Sequence, residues 1–405
     1  MKKILNEICI SLVFITVLSL ALSGCSKENS NINTEQNATT YVENEDFQNF
    51  FGNFYNIAKV KNGYYFFTGM NLYYYDAKSK EAYPVCNKPN CDHNGDCTSF
   101  FSIFSYYPFE LSYYNNSLYV LGWEEEGNIR HNYIYEISLD NFKRKKAAYL
   151  FDSTDSMNSV HFIIHRGYVY FLKGISGNLE ERTDYIYRVK LGNKNKKKDA
   201  EKIYEFSGIG ASINGLIASG NNIIISNNCY GDTNGNDYKT SYSLIDIHSL
   251  KSKEIVGNKA YSLFANGNNI FYEKGTDTVN CINLDTKEEK FFCEINGPAY
   301  ISADSNYIYF DNIQSVYIDK NEEKDRKILV YDKKGNYVTE IVPKNPKDDC
   351  YFGGDDIMIF KENIVGETIT NDGDTNGAKG YYVLDKSQLT TPDKQFIDME
   401  LFRVF

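Results

Sequence analysis

A repeated pattern of short strands constrains this sequence more than any other feature. A turn rich in Asn, Gly, Asp or Ser precedes a short run of aromatic or β-branched residues, and this unit returns seven times. Repeats with a period of this size are typical of proteins built from one supersecondary unit. The runs are centred, at intervals of about 38 to 54 residues, on Phe66, Tyr119, Tyr170, Ile224, Phe271, Tyr309 and Ile359.

Each unit contains further strand-like segments. A second strand follows the run, as in LYYYDAK at 72–78, and a Lys-containing turn then leads to a third, as in KEIV at 253–256. A short apolar stretch before the turn, such as HFIIH at 161–165, supplies a fourth. Four strands in each of seven units predict an all-β fold, a single seven-bladed β-propeller over residues 46–405. A β-sandwich also has short strands with regular turns, but it does not account for seven similar units.

The strand sequences resemble those of YWTD-type and TolB-type propellers, in segments such as SNYIYFD at 305–311. No full YWTD motif is present, and the resemblance rests on the series of units rather than on any one of them. It implies the propeller fold and does not imply an activity.

The N-terminus predicts export. Lys2 and Lys3 precede the apolar run Ile8–Leu22, which is short for a membrane span. The following Leu-Ser-Gly-Cys at 22–25 resembles the bacterial lipobox, which implies cleavage before Cys25 and a diacylglycerol on its thiol. We therefore expect a signal peptide at 1–24, a lipidated cysteine with a polar tether at 25–45, and a chain anchored to the outer face of the cell membrane. A plain signal peptide and an uncleaved helix are the alternatives.

Charge and cysteine usage narrow the function further. The formal net charge of −11 argues against general nucleic-acid binding, which needs a basic surface.

Export permits disulfides, but an odd number of cysteines cannot all pair within one chain. Beyond Cys9 and Cys25 there are seven: Cys86, Cys91, Cys97, Cys229, Cys281, Cys293 and Cys350.

Three of these cysteines lie with a histidine in one short loop, CNKPNCDHNGDC at 86–97. Cys86, Cys91, His93 and Cys97 are four N or S ligands, the set that a structural zinc site requires. The alternatives are one disulfide with a free or intermolecular thiol, or reduced thiols that bind no metal. A metal or redox sensor is a further functional reading of the same loop. The segment also resembles one in propeller-domain surface lipoproteins of anaerobic Gram-positive bacteria, which implies location and fold but no reaction.

A second, incomplete metal motif lies near the C-terminus. Asp372, Asp374 and Asn376 alternate before Gly377, as oxygen ligands of Ca²⁺ do, but Val383 stands where the twelfth, acidic ligand belongs. Calcium is therefore a weak expectation. Asn, Asp and Gly are also the usual residues of a long hairpin loop.

The strand order sorts the connections onto two ends. Tight or lysine-containing turns fall on one end, and the longer segments 86–97, 122–132, 173–184, 228–240, 312–326 and 370–380 fall on the other. Long loops on a rigid scaffold commonly bind ligands, so Trp123, Glu124, Tyr230 and Asp232 are the predicted binding residues.

The sequence contains none of the common catalytic motifs, such as G-x-S-x-G or H-E-x-x-H. We therefore expect a non-enzymatic surface module that binds a protein, peptide or glycan. An extracytoplasmic polysaccharide hydrolase or lyase is the alternative, and it predicts clustered carboxylates or a His–Tyr pair with perturbed pKa near the axis of the ring, on the end with the long loops.

Overall fold

The computed structural model describes residues 57–86, 88–102, 106–154, 161–173, 180–195, 200–257, 262–275, 277–295, 297–312, 326–352, 354–363 and 378–399. In these ranges the secondary structure is β-strand apart from one 3-10 turn, Lys386–Gln388. No helix within them is both long enough and apolar enough to cross a membrane. The all-β prediction is confirmed.

Most of the strands form four-stranded antiparallel sheets in chain order. The first contains β1 (Ile57–Val60), β2 (Gly63–Thr68), β3 (Asn71–Asp76) and β4 (Glu81–Pro84). The second contains β5 (Tyr106–Tyr114), β6 (Ser117–Glu126), β7 (Ile129–Ser138) and β8 (Arg144–Ser153).

A seven-stranded sheet follows, made of β9 (Phe162–His165), β10 (Tyr168–Lys173), β11 (Glu181–Lys190), β12 (Glu201–Ser219), β13 (Asn222–Tyr230), β14 (Lys239–Asp246) and β15 (Ser252–Val256). Three more four-stranded sheets complete the described chain. They are β16 (Leu263–Asn266), β17 (Asn269–Lys274), β18 (Thr278–Asn283) and β19 (Glu289–Glu294); β20 (Tyr300–Ala303), β21 (Tyr307–Asp311), β22 (Ile328–Asp332) and β23 (Tyr337–Ile341); and β24 (Asp349–Tyr351), β25 (Ile357–Asn363), β26 (Ala378–Asp385) and β27 (Phe396–Met399).

The seven-stranded sheet arises because β12 is unusually long, at 19 residues. Its first half, up to Ile209, pairs with β11, and its second half, from Ile209 onward, pairs with β13. The register with β13 shifts twice, near Gly210 and Gly215, which both have positive φ (56° and 72°). Glycine permits such β-bulges, which bend a strand without ending it. One strand therefore replaces the two strands and the connecting loop expected there.

The sheets pack face to face in chain order, and the last sheet packs on the first. The buried hydrophobic side chains form clusters, each shared by two neighbouring sheets or by the two halves of the long one. A further cluster joins the first sheet to the last, where Tyr64 and Phe66 of β2 meet Tyr351 and Tyr381. A ring of antiparallel sheets whose last member packs on its first is the β-propeller architecture.

Hydrogen bonds between neighbouring sheets define one end of this ring. The turns that join the first two strands of a sheet contact the same turns of the next sheet, and we call this end the turn end. Examples are Tyr114–Gly167, Ser219–Gly267, Ser305–Asp355 and Tyr64–Asp356, with distances of 3.0, 2.7, 2.9 and 2.5 Å. The opposite end, where one sheet connects to the next, is the loop end.

Glu273 of β17 is buried at the loop end, with none of its surface exposed. One carboxyl oxygen accepts the Ala299 N–H at 3.1 Å, and among the described residues the other has no hydrogen-bond partner. Burial raises the pKa of Glu273 from 4.5 to about 8. The carboxyl is therefore protonated in the folded chain at neutral pH.

This shift predicts a pH-dependent stability. A carboxyl whose pKa rises on folding stabilises the chain below about pH 4.5, and the contribution disappears as the pH passes about 8. The slope is at most about 1.4 kcal/mol per pH unit. Glu273→Gln stays neutral and keeps an acceptor for Ala299, so we expect it to lose less stability than the unsubstituted chain between pH 5 and 8.5 in urea unfolding. Glu288→Gln, at an exposed site, is the control, and equal losses in both variants would contradict the prediction.

Candidate metal centre

The cysteine loop leaves β4 and folds back onto the start of β3. Leu72 donates its N–H to Ser99 O at 2.8 Å, and its carbonyl accepts the Val85 N–H at 2.9 Å. Nearby, Phe101 donates to Met70 O at 2.7 Å. Both ends of the loop are thus tied to Met70 and Leu72 at the start of β3, so the segment between them is held as a closed turn.

The four predicted ligands lie together in that segment. One ligand atom from each of Cys86, Cys91, His93 and Cys97 lies within 4.8 Å of the others. The backbone achieves this with left-handed residues, including His93 (φ 54°) and Gly95 (φ 52°). Because such φ values reverse the chain direction within a few residues, they bring side chains from both halves of the loop to one point.

Backbone donors point at two of the sulfurs. The Lys88 N–H donates to Cys86 Sγ and the Ser99 N–H donates to Cys97 Sγ, both at 3.4 Å. Ser99 Oγ lies 3.1 Å from Cys97 Sγ, and His93 Nδ1 lies 3.4 Å from it. Donors around a sulfur stabilise the thiolate, which is the form that binds metals.

The two thiols therefore differ in acidity. Burial opposes ionisation of Cys97, but the hydrogen bonds from Ser99 and His93 outweigh it and lower the pKa of Cys97 to about 6. Burial raises the pKa of Cys86 to about 11, although the Lys88 N–H acts in the opposite direction. At neutral pH Cys97 of the metal-free loop is thus a thiolate, whereas an incoming ion would displace the thiol proton of Cys86.

Arg144 of β8 holds the loop from the neighbouring sheet. Its guanidinium donates to Thr98 O and Phe100 O, both at 2.7 Å, and lies 3.6 Å from the centre of the Phe101 ring. Phe101 is fully buried and packs against Phe67. This anchor joins the ligand segment to the core between the first two sheets.

The donor set fits a soft or borderline metal ion. Three sulfurs and one imidazole suit a tetrahedral centre, and hard ions such as Mg²⁺ or Ca²⁺ prefer oxygen. Cys86, Cys91 and Cys97 are free thiols in the structure, as are Cys229, Cys281, Cys293 and Cys350. Within the described part of the chain, this is the group of Cys, His, Asp and Glu side chains whose ligand atoms are close enough to share an ion.

The predicted binding residues Trp123 and Glu124 lie in a strand. β6 extends to Glu126 and pairs with β7 across a two-residue turn, so the segment 122–132 is a hairpin rather than the expected loop. Cross-strand pairing there places Trp123 opposite Asn132. The Trp123 Nε1 is buried and has no acceptor among the described residues, while Glu124 pairs with Lys146 at 2.5 Å.

Tyr230 and Asp232 lie in the hairpin between β13 and β14. Tyr230 ends β13, and its ring centre lies 5.1 Å from that of Tyr238, which is 56% exposed. The Asp232 carboxylate accepts the Asn234 and Asn236 N–H groups at 2.9 and 3.0 Å, which shapes the turn. The Asn236 bonds also hold the pKa of Asp232 below its usual value.

Several predicted sites lie outside the described residues. They are the lipidation site Cys25 and the calcium candidates Asp372, Asp374 and Asn376.

A pair that the sequence analysis did not single out is formed by Glu110 of β5 and His161, the residue before β9. Glu110 of β5 is buried, and its Oε1 lies 3.4 Å from His161 Nδ1 and accepts the Phe162 N–H at 3.1 Å. Burial raises the pKa of Glu110, and hydrogen bonding to Glu110 raises the pKa of His161 against the effect of burial. The two residues are 51 positions apart and belong to different sheets, so no local pattern marks them.

No protein-family model and no curated protein matches the chain. Solved structures similar to it include an oligogalacturonate lyase in complex with manganese, at 10% identity over 70% of this chain and 75% of that one, with a TM-score of 0.41. The β-propeller domain of the Trilobed protease from Pyrococcus furiosus is 12% identical over 73% and 86%, with a TM-score of 0.42. The AfRom2 CNH domain is 8% identical over 78% and 92%, with a TM-score of 0.41. At these values the likenesses carry no argument about function.

The geometry predicts that the cysteine loop binds zinc and that Cys97 is one of the ligands. We expect the purified full chain to bind about one zinc ion and Cys97→Ser to lose it, because the four-ligand set is then incomplete. Metal content measured by mass spectrometry after gel filtration is the readout. Cys229→Ser removes a thiol from β13, away from the loop, and should leave the zinc content unchanged. Zinc retained by Cys97→Ser, or absent from the unsubstituted reduced chain, would show that the cluster is not a zinc site.

Proposed function

We propose that the protein is an exported, lipid-anchored seven-bladed β-propeller that binds a protein, peptide or glycan through its loop end without catalysis. In this proposal a zinc ion on Cys86, Cys91, His93 and Cys97 fixes the first loop of that end. The observation that carries the proposal is the convergence of these four side chains within 4.8 Å on a loop that has little hydrophobic core of its own.

The seven-blade count is supported by the long strand β12. Its two halves pair with different neighbours, so it acts as the outer strand of one four-stranded unit and the inner strand of the next. Counted in this way, the six sheets contain seven such units. The clusters of buried side chains between units also number seven in the described residues, as a closed ring of seven requires.

Aromatic groups support the loop end as the binding surface. Tyr238 is largely exposed beside Tyr230, and the Trp123 Nε1 has no acceptor in the described chain. Tyrosine and tryptophan are the residues that most often dominate binding surfaces, because they combine a large apolar area with a polar group. Zinc would keep the adjacent loop in one conformation and so lower the ordering cost of binding.

A polysaccharide hydrolase or lyase is the second candidate, and the Glu110–His161 pair is the observation that favours it. A buried carboxyl that contacts an imidazole of the neighbouring segment is an arrangement that can move protons.

We expect the loop end to account for ligand binding. Glycan arrays and displayed peptide libraries screened with the full chain should yield a ligand that Tyr230→Ala and Trp123→Ala each weaken at least about tenfold, because central aromatic side chains commonly contribute more than 1 kcal/mol. Tyr337→Ala, at an exposed position of β23, is the matched control. A ligand that binds all three variants equally would contradict the assignment, and glycan cleavage that His161→Ala abolishes would favour the second candidate.

The proposed anchor predicts the behaviour of Cys25. In a bacterial host, the native chain should fractionate with membranes and incorporate labelled fatty acid, and Cys25→Ser should do neither because it lacks the acceptor thiol. Export of the variant, detected outside the cytoplasm, distinguishes loss of the lipid from loss of secretion. Membrane retention and labelling unchanged in Cys25→Ser would contradict a lipobox at this position.

A further inference from the structure

The three sulfurs of the cysteine loop are close enough to react with one another. They lie within 4.8 Å of each other, and all three thiols are free in the structure. Cys86 is the sulfur that interacts with both of the others, Cys97 and Cys91. Because the S–S bond of a disulfide is about 2.05 Å long, a movement of at most about 3 Å separates two of these thiols from a disulfide.

The backbone brings Cys86 and Cys97 together independently of their side chains. Thr98 Oγ1 donates to Val85 O at 2.8 Å, so the residue after Cys97 is bonded to the residue before Cys86. Val85 in turn donates its N–H to Leu72 O of β3 at 2.9 Å, which fixes this junction on the first sheet. A disulfide requires neighbouring Cα atoms, and this pair meets that requirement with little backbone movement.

The same two sulfurs differ in their access to solvent. Cys86 is partly exposed, whereas Cys97 is only 4% exposed. The Ser99 N–H and Oγ lie 3.4 and 3.1 Å from the Cys97 sulfur and hold it in place. A small oxidant therefore reaches Cys86 first, and Cys97 is positioned to attack the oxidised sulfur.

The other described cysteines have different surroundings. Cys281, Cys293 and Cys350 are 4 to 5% exposed and lie in hydrophobic clusters between sheets. Cys229 of β13 is partly exposed, but it pairs across the sheet with Lys239 and not with a cysteine. Cys229 is therefore the accessible thiol with which the reactivity of Cys86 can be compared.

We propose that the cysteine loop is a redox-controlled metal site, in which a hydroperoxide converts Cys86 and Cys97 into a disulfide and releases the zinc ion. The inference rests on the zinc site of the proposed function and adds its regulation. After oxidation only Cys91 and His93 remain as ligands, which are too few for a closed tetrahedral centre. The first loop of the loop end then loses the ion that fixes it.

One hydroperoxide molecule balances the reaction. The Cys86 thiolate attacks the terminal peroxide oxygen, the O–O bond breaks, and Cys86 becomes a sulfenic acid while an alkoxide leaves. The Cys97 thiolate then attacks the Cys86 sulfur, so that the S–S bond forms, the S–O bond breaks and hydroxide leaves. The two thiolates lose two electrons in total, the peroxide gains them, and both leaving groups take protons from water.

The test is oxidation of the zinc-loaded full chain with hydrogen peroxide. The absorbance of a metal-binding dye reports zinc release, and mass spectrometry of peptides identifies the disulfides. We expect one zinc ion released for each Cys86–Cys97 disulfide, and oxidation of Cys86 at least about tenfold faster than that of Cys229. A dithiol reductant with added zinc should restore the metal content, because a disulfide is reducible.

The metal-free full chain tests the thiol chemistry separately from the metal. Cys91→Ser keeps both reacting sulfurs, so it should form the Cys86–Cys97 disulfide as the unsubstituted chain does. Cys97→Ser lacks the attacking thiolate and should accumulate a sulfenic acid at Cys86, which dimedone traps. Cys229→Ser is the control with one thiol fewer outside the loop, and it should behave as the unsubstituted chain in both the zinc-loaded and the metal-free form.

Three outcomes would overturn the proposal. They are zinc retained in a chain whose Cys86 and Cys97 are cross-linked, oxidation of Cys229 before Cys86, and a disulfide that includes Cys91 in place of the Cys86–Cys97 pair. A reduced chain that binds no zinc before oxidation would refute the metal centre itself, whereas bound zinc that peroxide does not release would refute only its redox control.

Discussion

The packing of the last sheet on the first is the contact on which the rest of the structure depends. Each sheet has two apolar faces, and a linear stack would leave one face of each terminal sheet in water. Tyr64 and Phe66 close that gap by packing against Tyr351 and Tyr381, which lie near the other end of the described chain. The same closure forms a cavity at the turn end, because the walls of the cavity come from both sides of the joint.

Polar groups between the sheets set the finer geometry. At the loop end, buried carboxyls such as Glu110 and Glu273 accept backbone N–H groups of the next sheet. At the turn end, Lys386 connects Asp304 to the carbonyls of the neighbouring turn. Hydrophobic clusters hold the sheets together without strict direction, whereas these bonds require particular distances, so they fix how each sheet is placed against the next.

The cysteine loop is not stabilised by a hydrophobic core as the sheets are. Between its two hydrogen-bonded ends it contains mostly polar residues, so burial of apolar surface cannot fold it. Its ligand side chains nevertheless meet, because left-handed turns reverse the backbone and Arg144 fixes the C-terminal end. A metal ion bound there would supply the remaining stabilisation, as in small domains that fold around zinc.

The sequence alone indicated the repeat, the strand type and the four candidate metal ligands, because each depends on residues close together in the chain. Turn residues and alternating aromatic runs predict hairpins, and four Cys and His residues within twelve positions predict a ligand set. The strand pattern alone did not indicate that two expected strands continue into one another as β12, because the glycines at its register shifts bend the strand without ending it.

Only the tertiary structure decided which distant residues meet. Trp123 lies in a hairpin instead of the expected loop, because β7 continues to pair with β6 beyond this residue. Arg144 reaches the cysteine loop across 46 residues, and Asp355, Asp356 and Asp385 share a cavity because the ring closes beside them. These contacts depend on the order and closure of the sheets, which is a property of the whole chain and not of any local segment.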